Sequence, residues 1–318
     1  MKKEHEKPDP ERWDPVETPP DLSRRGFYVG TSGYYFDDWI GRFNPPRLTA
    51  GERGRLSSAA QADQDRLRFY QKYFRFVEIN SSFYTEPLLS TYAEIEKRSR
   101  EDMMYAVKAN REVSHAREWN AARGRAIMER HAEAVGPLVE TGRFYSFLIQ
   151  LEDRNERSAS KLDYLLRVAE PAIRRKLDVH VEFRHVSWHN EQVLRALKDS
   201  GVGVCNTEIP PVPHAFPLKA YATTPRGYLR YSGLNLKNWY PAGRAETPGE
   251  RTDQRNRRYD YLYSEEEIKK RVEGQLKLAA KTGMVAVAYN NHFKISAVLN
   301  AIFNLKWLEW KLGRAVAE

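Results

Sequence analysis

The chain has a single cysteine, Cys205, among 318 residues. One cysteine excludes an intrachain disulfide and a cysteine-based zinc site, and it is typical of a protein from a reducing compartment, so we expect a cytoplasmic location. No run approaches the ~18 apolar residues that a membrane-spanning helix needs, so no membrane contact is expected. The sequence also lacks a Walker loop, a G-x-G-x-x-G motif and a G-x-S-x-G motif, which excludes the usual nucleotide-loop and serine-hydrolase signatures.

The charge is not balanced. Lysine and arginine number 52 against 43 aspartates and glutamates, which gives a formal net charge of +9. A basic balance favours anionic partners, such as nucleic acid or a small anionic molecule. The alternative is that these side chains only make the surface soluble, and the sequence leaves both interpretations open. It does not indicate the oligomeric state.

Eight short apolar runs recur along the chain, and most of them precede a segment with the periodicity of an amphipathic helix. Eight strand–helix units in a chain of this length predict an α/β fold, a single TIM-type (β/α)8 barrel. The predicted strands are residues 27–33, 76–82, 104–110, 144–150, 179–185, 201–206, 227–231 and 284–290.

Three connections are predicted to be long loops: residues 34–60 after the first strand, 208–225 after the sixth and 233–264 after the seventh. A helix is predicted over residues 61–74. Ser264 is predicted to cap the helix that follows it, because three glutamates come next. The charged, proline-rich residues 1–25 are predicted to be a disordered tail, and residues 26–318 one barrel domain.

Polar side chains end the predicted strands, where barrel enzymes have their active sites. Residues two apart on a strand share a face, so Glu78 points with Asn80, and Glu182 with Arg184. We predict Glu78 and Glu182 as catalytic acid and base. Lys108, Arg184 and Arg230 are predicted to hold phosphate or carboxylate. The predicted substrate-binding residues are Ser32, Tyr34, Asn80, Tyr84, Lys108, Gln150, Arg184, Trp188, Arg230, Asn290 and Asn291. The alternative is a charge-paired plug that fills the barrel.

A metal site has less support. His115, His185 and His292 each lie near a predicted strand end, but no two histidines have the spacing of a ligand pair on one element. We therefore predict no metal and no other cofactor, with a bound divalent cation as the alternative.

Motifs at the same strand ends resemble those of the YecE-like family, a domain of unknown function numbered 72. The resemblance spans about residues 27–312, and it implies a TIM-type barrel but no reaction. The matching strings are GTSGYYFDDW at 30–39, VEINSSFY at 77–84, YAVK at 105–108, VEFRHVSW at 181–188, KNW at 237–239 and NNHF at 290–293.

The chain departs from the family pattern in three places. Ser232 stands where the family often has histidine, Glu208 where it often has aspartate, and Glu152-Asp153 where proline-rich residues are common. If that histidine is catalytic in relatives, this chain is altered or inactive.

Two functional hypotheses remain open. The first is an enzyme, a hydrolase or isomerase, acting on a phosphorylated sugar, nucleotide or nucleic-acid fragment at the mouth of the barrel. The second is a non-catalytic module that binds nucleic acid or an anionic metabolite.

Overall fold

The computed structural model describes residues 16–115, 118–240 and 247–314. Eight parallel strands form a closed barrel in sequence order, and the eighth strand pairs with the first. This architecture confirms the predicted TIM-type barrel. The strands are β1 Phe27–Ser32, β2 Phe76–Ile79, β3 Met104–Lys108, β4 Phe144–Gln150, β5 Val179–Glu182, β6 Gly203–Glu208, β7 Arg226–Tyr231 and β8 Met284–Tyr289.

Helices surround the strands on the outside. Three short 3-10 turns, at Ser23–Arg25, Asp37–Trp39 and Val186–Trp188, complete the described elements. The helices are α1 Ala50–Arg53, α2 Ser58–Asp63, α3 Arg66–Tyr70, α4 Ser81–Tyr84, α5 Leu89–Lys97, α6 Arg111–Ser114, α7 Ala121–Ala134, α8 Gly136–Glu140, α9 Ala159–Arg174, α10 Glu191–Asp199, α11 Leu236–Trp239, α12 Pro248–Arg257, α13 Glu265–Ala279 and α14 Ser296–Arg314.

Alternation along each strand separates two cores. On β2, Val77 and Ile79 belong to the large apolar core that includes residues of the surrounding helices, whereas Phe76 belongs to a smaller cluster inside the barrel. Glu78 is fully buried on the same face as Phe76. The strand period therefore fixes which side chains point at the barrel axis.

Aromatic side chains fill the lower part of the barrel. The rings of Phe76, Tyr145 and Tyr228 pack edge to face, with centroids 5.7, 5.8 and 5.9 Å apart. The imidazole of His180 bonds to the Ser146 hydroxyl at 2.7 Å beside them. This layer closes the barrel from below, so the polar groups above it are reached from the carboxyl ends of the strands.

The long connections between strands differ in secondary structure. The one between β6 and β7 carries no helix, and a cavity of about 770 Å³ lies outside the barrel between this connection and α13. The connection after β7 includes α11 and α12, and the second begins with a capping box in which Thr247 and Glu250 bond reciprocally. The predicted helix over 61–74 is two short helices, α2 and α3, because the Asp65 side chain caps the second one.

The start of the chain corrects part of the predicted tail. Residues 1–15 lie outside the described residues. Residues 16–25 are not a disordered segment, because Leu22 is buried in the main core and the Asp21 carboxylate pairs with Arg75 at 2.7 Å. No helix in the described ranges is long and apolar enough to cross a membrane.

Candidate functional site at the mouth of the barrel

Both predicted catalytic glutamates lie inside the barrel and bind the same arginine. The Arg230 Nε and Nη2 atoms donate to the two carboxylate oxygens of Glu78, at 2.7 and 2.8 Å. Its Nη1 atom donates to Glu182. All three side chains are buried. The parity that the sequence predicts for β2, β5 and β7 thus brings these residues together.

The remaining N–H groups of Arg230 are also used. Nη1 donates to the Gln150 side-chain oxygen at 3.3 Å, and Nη2 to the Ser32 hydroxyl at 3.3 Å. A guanidinium has five N–H donors, and Arg230 has a partner for each. Arg230 is therefore committed to the two glutamates, Gln150 and Ser32, and none of its donors is left for a ligand.

This network keeps both carboxylates ionised. Burial acts to raise the pKa of Glu182, but Arg230 and Arg184 outweigh burial and lower that pKa to about 2. The pKa of Glu78 is also lowered, since Arg230 again outweighs burial. A carboxylate with a depressed pKa holds no proton to donate near neutrality and is a weak base. The geometry therefore argues against general acid or base roles for Glu78 and Glu182.

Lys108 ends β3 on the inward face and is partly exposed at the mouth. Its Nζ atom lies 4.3 Å from the centroid of the Phe83 ring. Among the residues that the structure describes, none accepts a hydrogen bond from Nζ or forms an ion pair with it. Burial, followed by the charge of Arg230, lowers the pKa of Lys108 to about 7, while Glu78 opposes the shift.

Arg184 lies just beyond the end of β5 and donates from Nε to Glu182 at 2.8 Å. Its Nη2 atom is buried and has no hydrogen-bond partner. A buried, unpaired guanidinium N–H is costly unless something binds it. The charge of Arg184 also contributes to the lowered pKa of Lys108, so the two cations share one electrostatic environment.

Arg258 is a site residue that the sequence analysis missed. Its guanidinium lies 5.7 Å from the ring centroid of Trp239, the same buried ring that Arg184 approaches at 5.6 Å. The Nε atom of Arg258 is buried without a partner. Its sequence context, a stretch of mixed charge in the loop after β7, gives no signal that separates it from surface arginines. We call Lys108, Arg184 and Arg258 the cationic set.

Asn80 and Tyr34 border a cavity beside the network. The cavity has a volume of about 550 Å³, and Glu78 and Arg66 also line it. The Oδ1 atom of Asn80 is buried and unpaired. Asn80 therefore offers a polar group to a ligand at the edge of the mouth, as the sequence predicts for its position.

Four of the predicted substrate-binding residues lie apart from the network or bind other parts of the protein. Asn290 donates to the Ser232 hydroxyl at 3.2 Å, so it lies beside the position where the family often has histidine. Tyr84 is 63% exposed and lines a separate cavity of about 290 Å³. The side chains of Trp188 and Asn291 contribute to the fold and differ in this from the predicted binding role. Trp188 is buried in the main core and donates to the Asn155 carbonyl at 2.7 Å. Asn291 donates to Tyr261 and Asn300, which fixes the loop after β8.

The described histidines are not part of a cluster of possible metal ligands. In residues 16–115, 118–240 and 247–314, no three histidine, cysteine, aspartate or glutamate side chains are grouped as metal ligands would be. His115 contacts the Phe83 ring at a centroid distance of 4.9 Å. Burial, and then the charge of Lys108, lowers the pKa of His115 to about 4, so its imidazole is neutral beside the cationic set.

Comparison with known proteins agrees with this fold. The family model described as "Protein of unknown function DUF72" matches residues 28–315. The chain belongs to the DUF72 family. A DUF72 structure from Thermotoga maritima is 29% identical, with a TM-score of 0.72 over 89% of this chain and 99% of that one. A DUF72 structure from Enterococcus faecalis is 22% identical, with a TM-score of 0.72 over 89% and 95%. Among curated proteins, none matches the chain.

The departures from the family pattern have structural explanations in two cases. Glu208 faces outward and accepts two hydrogen bonds from Arg271 of α13, at 2.7 and 2.8 Å, so the longer glutamate serves the packing of that helix. Asp153 accepts from the Tyr240 hydroxyl at 2.8 Å and joins two loops. Ser232 is fully buried at the mouth, and nothing in the structure explains the exchange of histidine for serine there.

Proposed function

We propose that the barrel mouth binds a small molecule through a phosphate or carboxylate group. The observation that carries this proposal is the cationic set, in which the Nζ atom of Lys108 and the Nη2 atom of Arg184 have no protein acceptor among the described residues. Cationic N–H groups in a site with little water bind anionic oxygens with short, strong hydrogen bonds. Arg230 and Arg184 already balance the two glutamates. The charges of Lys108 and Arg258 are therefore in excess.

The ligand is small because the free donor of Arg184 is buried. Arg184 is only 6% exposed, and the atom without a partner is fully buried. A terminal phosphate or a carboxylate can enter such a mouth, whereas an internal phosphodiester of a nucleic-acid chain is flanked by nucleotides on both sides. We therefore favour an anionic metabolite over nucleic acid. Because Cys205 is the only thiol and is buried, a reducing cytoplasm suits this protein.

The same arrangement supports ligand binding but not acid–base catalysis by Glu78 and Glu182. Hydrolysis or isomerisation through Glu78 and Glu182 as proton donor and acceptor receives no support, because both are ionised and fully paired. Their contribution under this proposal is to fix the guanidinium groups in place. The binding of an anionic metabolite, the second of the two hypotheses, therefore has the better support.

The test is ligand-dependent thermal stability with defined anions. Glycerol 3-phosphate and lactate are titrated against the wild type, Arg184→Met and Arg47→Met, the last being a control in which an exposed ion pair is lost. We expect at least one anion to raise the Tm of the wild type and of Arg47→Met. Arg184→Met should lose at least about tenfold in affinity, the value of a hydrogen bond to a charged group. Absence of stabilisation by both anions contradicts the proposal, as does equal loss in both variants.

A further inference from the structure

The amino group of Lys108 lies at the mouth of the barrel and lacks the acceptors that several surface lysines have. Lys72, Lys97 and Lys269 donate to carboxylates of neighbouring residues. Lys281 donates to a backbone carbonyl. Lys108 has none of these partners, and its Nζ atom lies over the face of Phe83.

Burial, and then the surrounding charges, explain why this amine loses its proton easily. The carboxylates of Glu78 and Glu182 face the same space, but Arg230 and Arg184 already occupy them. Lys108 therefore lies opposite two guanidinium groups without a carboxylate of its own. With its pKa at about 7, a far larger fraction of this amine is neutral at pH 7 than of an ordinary lysine. An ordinary lysine, with a pKa of about 10.4, has roughly four neutral amines in ten thousand at that pH.

We propose that Lys108 is a nucleophile that forms an imine with a short aldehyde or ketone whose carboxylate or phosphate is held by Arg184. This inference rests on the proposed anion site and adds the chemical class of the ligand. A neutral amine, a donor for an anion and a partly exposed position at the mouth are the parts that such a reaction needs. The nearby glutamates cannot compete as nucleophiles, since both are fully paired and shielded.

The bond changes balance without a co-reactant. The Nζ lone pair forms a bond to the carbonyl carbon, and the π electrons of the C=O bond move to oxygen. Nζ releases a proton and the oxygen gains one, which gives the neutral carbinolamine. A second proton, taken from solvent, allows the C–O bond to break, and water leaves. The product is a protonated imine.

The imine nitrogen is less basic than the amine from which it forms. Near neutral pH it therefore exchanges its proton with solvent, and the protonated form is the one that hydride reduces. The imidazole of His115 contacts the same Phe83 ring.

Reductive trapping tests the inference. The full chain is incubated at pH 7 with borohydride and either pyruvate, which carries a carboxylate, or glyceraldehyde 3-phosphate, which carries a phosphate. Borohydride supplies hydride, which converts an imine to a stable secondary amine. Intact mass measures the adduct, and peptide mapping identifies the modified lysine. We expect one adduct per chain, located at Lys108 and at least roughly tenfold above Lys97, whose pKa is raised by Glu94.

Two comparisons make the result decisive. Lys108→Arg should abolish the adduct while Lys97→Met retains it. If Lys108→Arg does not fold, the site assignment in the wild type alone still decides the question. Equal modification of Lys108 and Lys97 overturns the inference, and so does the absence of an adduct with both carbonyl compounds.

Two control anions that lack a carbonyl group distinguish failure of the imine inference from failure of the proposed anion site. Lactate corresponds to pyruvate, and glycerol 3-phosphate to glyceraldehyde 3-phosphate. Stabilisation by either one together with no adduct means that the anion site stands and the imine does not. No stabilisation and no adduct overturns both. An adduct with pyruvate alone identifies the ligand class as a 2-oxo acid. An adduct with glyceraldehyde 3-phosphate alone identifies it as a sugar phosphate.

Discussion

Arg230 on β7 and Glu78 on β2 form a two-point ion pair inside the barrel, with both carboxylate oxygens bonded to the guanidinium at 2.7 and 2.8 Å. The Tyr228 hydroxyl donates to the same carboxylate at 2.6 Å and links the pair to the aromatic layer below. A charged pair this deeply buried is tolerated only because every donor is satisfied. It forms the floor of the mouth, and the cationic set lies above it.

Removing Arg230 should destabilise the protein strongly. Arg230→Met leaves Glu78 and Glu182 buried without their main partner, and we expect a loss of about 3–5 kcal/mol in unfolding free energy. Arg47→Met removes an exposed pair and should cost at most about 1 kcal/mol. Urea unfolding measures both. The double replacement of Arg230 and Glu78 by methionine leaves Glu182 paired with Arg184 and should recover much of the loss. Equal stability of Arg230→Met and wild type would contradict the role of the network.

Stability should fall in acid because of the same carboxylates. The pKa of Glu182 is about 2 in the folded protein and about 4.3 in an unfolded chain. Its contribution is therefore complete above the unfolded value and is lost as the pH falls toward the folded value. Each pH unit of difference corresponds to about 1.4 kcal/mol, so up to about 3 kcal/mol is expected from this group. Urea unfolding from pH 6 to pH 2 should show a shallower decline for Glu182→Gln than for the wild type.

Lys108 should also make stability rise with pH, but in a higher pH range. Its pKa is about 7 when folded and about 10.4 when unfolded, so the unfolded chain binds more protons between these values. Stability from this group therefore rises with pH from 7 toward 10.4. We expect a gain on the order of 1–3 kcal/mol, reduced by solvent because the side chain is partly exposed. Lys108→Met should flatten the rise, whereas Lys97→Met should leave it intact. A wild-type profile without a rise attributable to Lys108 would be inconsistent with its lowered pKa.

Arg184→Lys should keep the charge and weaken anion binding. Lysine lacks the planar guanidinium fork, so it cannot bind Glu182 and a ligand oxygen in the same arrangement. We expect glycerol 3-phosphate to bind about tenfold or more weakly by calorimetry, while Tm without ligand changes little. Arg47→Lys is the matched control. A large loss of stability without any ligand would instead support a purely structural role for Arg184.

The sequence was sufficient to predict the barrel and the residues that point into it, because both follow from the alternation of side chains along a strand. Glu78, Glu182 and Arg230 face the axis for that reason. Their partners could not be predicted, because pairing across a barrel depends on the registers of several strands. Arg230 was predicted as a ligand clamp, and only the structure shows that Glu78 and Glu182 occupy its donors. The Ser264 cap is confirmed, because capping depends on residues within four positions.

Loop residues were harder to predict. Trp188 follows a strand end, as a rim aromatic should, but the 3-10 turn Val186–Trp188 directs its ring into the core against Phe183. Arg258 lies on a long connection whose path the sequence pattern does not determine. It reaches the mouth because Trp239 on the short helix α11 gives its guanidinium a surface to pack on.

The central claim is that an anion binds between Lys108 and Arg184. The most direct measurement is an anomalous difference map from a crystal soaked in selenate, a heavier analogue of sulfate with the same tetrahedral shape. The account predicts a peak within hydrogen-bond distance of the Nζ atom of Lys108 and the Nη2 atom of Arg184, absent from crystals of Arg184→Met. Peaks confined to surface arginines, with none at the mouth, would contradict it.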